Sequence, residues 1–173
     1  MNNSHDLTRA KEVQRPQFRR QMSIFIEAAP ETVFRYVADI SRHAEWSAQT
    51  LSITLEPHPE HGSSATFAST ALVGFLLPVA GHIRVIAEEP PMRFVYECQD
   101  ISGQYYWTML LQPEGKGTRL TQRMERLQGP WWIRLAQSGL VWPLYGRRAI
   151  GKGLANIKAH LEAMKTESLT NYR

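Results

Sequence analysis

Cysteine is nearly absent. Cys98 is the only one in 173 residues, so no disulfide can close within the chain. A multi-cysteine zinc site and an all-cysteine iron–sulfur cluster are excluded for the same reason. One thiol suits a reducing cytoplasm, which is the expected location. Long apolar runs are missing too. The most apolar window, 71–81 (ALVGFLLPVAG), is about half the ~20 residues a membrane-spanning helix needs, and Pro78 interrupts it. The N-terminal MNNSHDLTRAKEVQRPQ has no apolar stretch of the kind a secretory leader carries. There is no run of five basic residues and no recognisable DNA- or RNA-binding motif, so no nucleic-acid partner is expected. A G-x-S-x-G elbow and a dinucleotide fingerprint are also lacking, and Gly151-Lys152-Gly153 falls inside a helical pattern rather than a phosphate loop. No cofactor is expected.

The remaining composition is that of a globular domain. Hydrophobic residues make up 43% and charged residues 21%, ordinary values for a chain with one sizeable core. The net charge of +4 is unevenly spread. Residues 1–20 carry five basic and two acidic groups, residues 21–125 seven and twelve, and residues 126–173 eight and two. A basic C-terminal segment on an acidic body can pair internally, or it can favour an anionic ligand or surface.

Period-2 alternation marks a first strand at Met22, Ile24 and Ile26. Pro30 and Glu31 suit the first turn of a helix, with Val33, Phe34 and Val37 on its apolar face. A very short second helix closes near Trp46. Strands follow around Leu51–Leu55, Ala65–Ser69, Gly81–Glu89, Arg93–Cys98, Tyr105–Gln112 and Thr118–Leu127, separated by turn signals such as PEGKGT. From Pro130 onward the pattern is helical. Ile150, Leu154, Ile157, Leu161 and Met164 repeat at 4-3-4-3 spacing, and Pro143 should kink a single helix of about 35 residues. Sequential hairpins plus one long terminal helix predict an α+β fold, an antiparallel sheet of six to seven strands covered by that helix. A gap left between them is a typical place for a small molecule.

Four segments carry a family resemblance: IEAAPETVFRYVADISRHAEWS, EEPPMRF, GKGTRLTQRMER and RRAIGKGLANIKAHLEA. In this order they resemble the START-like (SRPBCC) superfamily, and within it the polyketide cyclase/dehydrase group. The likeness covers residues 17–165, leaving 1–16 and 166–173 as tails. It implies a helix-grip fold, a curved sheet holding the C-terminal helix over a hydrophobic cavity. It also implies a small hydrophobic ligand such as a lipid, a quinone or an aromatic polyketide-like metabolite. Two other readings stay open: a cyclase or dehydratase, and a membrane- or partner-binding module without a small ligand.

Candidate cavity residues follow from the strand phases and from this resemblance. Tyr96, Trp107, Met109, Gln122 and Met124 fall on the concave side, with Phe67 on the strand before them. Trp46 is placed near the cavity by the family motif. Trp142 and Tyr145 lie at the helix kink, beside Trp131 and Trp132. Ordinary core packing explains the apolar members equally well, whereas a buried Gln122 needs a partner. The tryptophan cluster, with the apolar stretch 74–78, could be covered by a homodimer or by peripheral membrane contact. Groups able to do acid–base work are Tyr96, Tyr105, Tyr106, Glu97, His82 and Glu125, but no spacing pairs any two. His58, Glu60 and His61 sit among Pro57 and Pro59 in a turn and match no metal motif, so no metal is expected; His43 stands isolated.

Overall fold

Seven strands build one antiparallel sheet: β1 (Phe18–Ile26), β2 (Thr50–Leu55), β3 (Thr66–Val73), β4 (Leu77–Glu89), β5 (Arg93–Asp100), β6 (Gly103–Glu114) and β7 (Gly117–Gln128). The computed structural model describes Pro16 and residues 18–56, 66–73, 77–139 and 142–170, with side chains for all of these except Val73, Arg134, 136–138, Trp142 and 165–170. His58, Glu60 and His61, and residues 74–76 of the apolar stretch, lie outside the described residues. The strand order is β1-β7-β6-β5-β4-β3-β2. Strands β2 to β7 each pair with a sequence neighbour, while β1 crosses over to β7 and aligns Met22 with Gln122. The sheet is curved. A register shift between Val85 and Ala87 marks an irregularity of the bulge type in β4, which bends a strand and strengthens its twist.

The alternation read from sequence fixes which face is covered. On β6, Tyr105, Met109 and Leu111 are buried and Trp107 half-buried on one side. On β7, Leu120, Gln122 and Met124 continue that layer.

Helix α1 (Pro30–Ala38) starts with Pro30, whose missing N–H costs nothing in the first turn. It buries Val33, Phe34 and Val37 over one end of the sheet, where the Phe34 ring meets Phe94 edge-on. A 3₁₀ turn at Ile40–Arg42 follows, opened by the Asp39 carboxylate accepting from the Ser41 N–H, and α2 (His43–Trp46) completes the connection.

At the C-terminus the expected single kinked helix is two helices. Helix α3 spans Trp131–Ser138, a π-type turn spans Trp142–Gly146, and α4 runs from Arg147 to Thr170. Pro143 lacks an N–H and its ring would collide with the carbonyl of Gly139. Gly139 leaves helical geometry altogether, at φ −91° and ψ −112°. The apolar stripe of α4 buries Ile150, Leu154, Ile157 and Leu161, but ends there; Met164 is exposed.

One turn depends on glycine. Gly103 begins β6 at φ +141°, and a Cβ there would lie 2.3 Å from the Gln128 carbonyl oxygen. Gly103→Ala combines a disfavoured φ with a backbone clash, so a loss of at least about 1 kcal/mol in urea unfolding is expected.

Candidate functional site

The cavity exists because side chains run out at one end of α4. Where the chain passes the sheet's concave face, Gly146 of the π-type turn and Ala149, Ile150 and Gly153 of α4 line a space of about 370 Å³. Further along, Leu154, Ile157 and Leu161 fill the gap and form closed core. The floor is Ile83, Tyr96, Trp107, Gln122 and Met124. The Tyr96 and Trp107 rings lie nearly parallel, 9° between planes and 6.4 Å apart. The segment 46–50 walls one side, and Trp132, Ile133 and Tyr145 stand at the rim.

A buried polar chain runs along one wall. His43 Nε2 is 3.0 Å from the Tyr96 hydroxyl, and its Nδ1 is 3.0 Å from the Thr50 hydroxyl. Thr50 in turn donates to Ser47 Oγ at 3.0 Å. Because the Thr50 proton is used on Ser47, Nδ1 must carry the ring proton and Nε2 must accept from Tyr96. Burial lowers the His43 pKa to about 3, so the ring is neutral. Burial also lifts the Tyr96 hydroxyl well above its usual range, with Cys98 adding to the rise and Gln122 opposing it. The same cause, followed by Asp100 and Glu97, pushes the Cys98 thiol up to about 12.

A second polar group closes the far side. The Asp100 carboxylate accepts from the Ser102 N–H at 2.6 Å and from its hydroxyl, and Ser102 Oγ lies 2.9 Å from the Tyr105 hydroxyl. Beside the cavity, the Gln122 Oε1 and the Trp46 indole N–H are buried without a hydrogen-bond partner among the described residues.

Six of the nine residues expected at the cavity border it: Trp46, Tyr96, Trp107, Gln122, Met124 and Tyr145. Met109 and Phe67 do not. Met109 pairs with Phe94 one step further along the sheet, where α1 has sealed the layer into solid core. Phe67 is half-buried against that core, beside Ile83, which takes the cavity-facing place. The side chain of Trp142 lies outside the described residues.

Of the six acid–base candidates only Tyr96 and Tyr105 reach the cavity. Glu97 is held by Arg84 and by the Gln104 amide, His82 meets Glu56 at 3.0 Å, and Glu125 meets Arg19 at 2.6 Å. None of these three, nor Tyr106, lines the cavity. Sequence reasoning passed over His43, Thr50, Asp100 and Ser102. Their signal was a lone histidine inside RHAEWS and a polar turn at QDISGQ, neither of which names a partner.

A curved antiparallel sheet closed over a cavity by one C-terminal helix defines a helix-grip protein. The family model described as polyketide cyclase / dehydrase and lipid transport matches residues 17–162, so the chain belongs to that family. Among solved structures it is similar to TTHA0849 from Thermus thermophilus, with TM-score 0.68, 19% identity, and coverage of 85% of this chain and 99% of that one. It is similar to the Zhui aromatase/cyclase from Streptomyces sp. R1128, with TM-score 0.66, 13% identity, and coverage of 84% and 93%. One half of the di-domain aromatase/cyclase StfQ of the steffimycin pathway also matches, with TM-score 0.66, 12% identity, and coverage of 86% and 51%. At these identities the likeness is one of fold. Among curated protein sequences none matches.

Proposed function

We propose that the protein binds and carries a small, predominantly apolar molecule in this cavity, of lipid, quinone or aromatic polyketide type. The observation that carries the reading is the cavity itself, about 370 Å³ and lined mostly by apolar side chains such as Trp46, Ile83, Trp107, Met124 and Ile150; the electrostatics of its wall agree with it. General acid–base catalysis works best with groups poised near the ambient pH. Here His43 is displaced far below neutrality and Tyr96 far above it, by burial in each case. Both stay uncharged at pH 7, which favours holding a neutral guest over moving its protons. Binding then draws on burial of apolar ligand surface, about 25 cal/mol per Å² before ordering costs. The Gln122 carbonyl, buried without a protein partner, favours a guest carrying one hydroxyl or similar donor. The lipid-transport half of the family description agrees with this role.

A second reading, cyclase or dehydratase, draws on the aromatase/cyclase neighbours and on the Tyr96–His43 hydrogen bond. One set of measurements separates the two. 1-Decanol, 1-naphthol and a short-chain ubiquinone are titrated by thermal shift and calorimetry. At least one is expected to bind saturably, and Ala149→Phe, which projects a ring from α4 into the space, is expected to weaken it at least tenfold. Absence of saturable binding by all three, or binding indifferent to the filled cavity, would count against the carrier. Turnover of a poly-β-keto substrate that Tyr96→Phe abolishes while binding persists would establish the enzyme instead.

A further inference from the structure

We propose that the protein docks on anionic lipid bilayers through an aromatic collar that flanks the cavity mouth. Five of the large apolar side chains exposed among the described residues, including both exposed tryptophans, lie on α3 and the turn that follows it. Trp131 is 68% and Trp132 59% exposed on α3, with Leu135 beside them, and Leu144 and Tyr145 are exposed on the following π-type turn. Trp132 and Tyr145 also border the cavity, so the collar and the mouth are one surface. Trp131 and Leu135 stand four residues apart and share a helix face. Two half-bare indoles on one short helix are costly in water, but they suit the headgroup layer, where an amphipathic ring has both an apolar and a polar neighbour.

The charge around the collar selects the partner. From Gly129 to Leu161 the chain has five lysines and arginines and no aspartate or glutamate. Arg147, Arg148 and Lys152, on the first turns of α4 directly after Tyr145, are all exposed. An apolar collar edged by cations matches an anionic leaflet, which adds about a fivefold gain per basic residue near the surface. The same charge argues against a second copy as the occupant, because a two-fold contact would set these cations against their own images. In the docked pose the mouth faces the acyl region, giving an apolar guest a path that avoids water. Docking itself requires no guest, so its test stands apart from the ligand reading.

The test uses the full chain without added ligand and sucrose-loaded vesicles of phosphatidylcholine alone or with 30% phosphatidylglycerol. Co-sedimentation with the anionic vesicles at 50 mM NaCl is expected, falling at least tenfold at 500 mM NaCl and on neutral vesicles. A blue shift of tryptophan emission should accompany it. Trp131→Ala/Leu135→Ala and Arg147→Gln/Arg148→Gln should each weaken binding at least fivefold with unchanged far-UV circular dichroism. Arg35→Gln/Lys116→Gln, which removes two exposed charges from α1 and the β6–β7 turn, should leave it intact. Failure to sediment with anionic vesicles at low salt overturns the proposal, as does equal loss in the control pair. A concentration-dependent dimer abolished by Trp131→Ala/Leu135→Ala would also overturn it, by giving the collar to a second copy. Should the alanine pair misfold, the salt and lipid dependence of the unaltered chain and the arginine pair still decide.

Discussion

Trp46→Ala is expected to cost about 3–5 kcal/mol of stability, the range for removing a fully buried indole. Only 2% of Trp46 is exposed. Its ring packs against His43 with centroids 4.2 Å apart and planes tilted by 57°, its backbone carbonyl accepts from the Asn156 amide at 3.1 Å, and Gly153 of α4 lies against it. The residue therefore joins α2, the cavity wall and α4. For a chain of this length the melting temperature should drop by about 10 °C. Trp46→Phe should recover most of the loss, because the orphaned indole N–H disappears while an aromatic ring still packs against His43. A drop below about 1 kcal/mol for the alanine variant would mean that α2 is not tied to α4 as described.

His43 should make stability fall as the solution is acidified, in a window set by its two pKa values. Unfolded, the imidazole titrates near 6.5; folded, it titrates at about 3. Between these values the unfolded chain binds a proton that the native protein refuses. Stability from this residue is thus complete above pH 6.5 and is lost as the pH falls toward 3, at about 1.4 kcal/mol per pH unit. From pH 7.5 to 4.5 the contribution should be about 3 kcal/mol, mostly above the range where carboxylates titrate. His43→Phe should be less stable at pH 7, since Tyr96 and Thr50 lose their shared partner, yet its urea midpoint should change far less with acidity. Parallel pH curves for the two proteins would assign the effect to other groups.

These two residues also illustrate what could be read in advance. Period-2 alternation on β6 and β7 and the α4 stripe are local patterns, and each follows from backbone geometry that repeats every two or 3.6 residues. They gave the sheet, its covered face and the helix that covers it. Alternation says which side of a strand is inside, but not whether the inside is cavity or core. Trp107 and Met109 share a face and differ only in what lies above them, small residues of α4 for one and the α1 end of the layer for the other. His43 was invisible as a site residue for a related reason. Its partner Tyr96 is 53 positions away, and only the closed sheet brings them within a hydrogen bond. The broken terminal helix shows a third limit. Pro143 marked the place, but whether a chain bends or stops there depends on Gly139 and on what α3 rests against.

The crossover of β1 sets a timetable for biosynthesis. Ser23 meets Thr121 across 98 positions, whereas every other ladder in the sheet closes between consecutive strands. On a ribosome adding ~5–20 residues per second, β2 to β6 can zip up hairpin by hairpin as they emerge. The first strand has no mate for roughly another 5–20 seconds at that pace. Throughout that interval Met22, Ile24 and Ile26 are exposed on a nascent strand. The first strand is therefore the one that waits longest for its partner, and its unpaired edge is open to neighbouring nascent chains for longer than any other in the sheet.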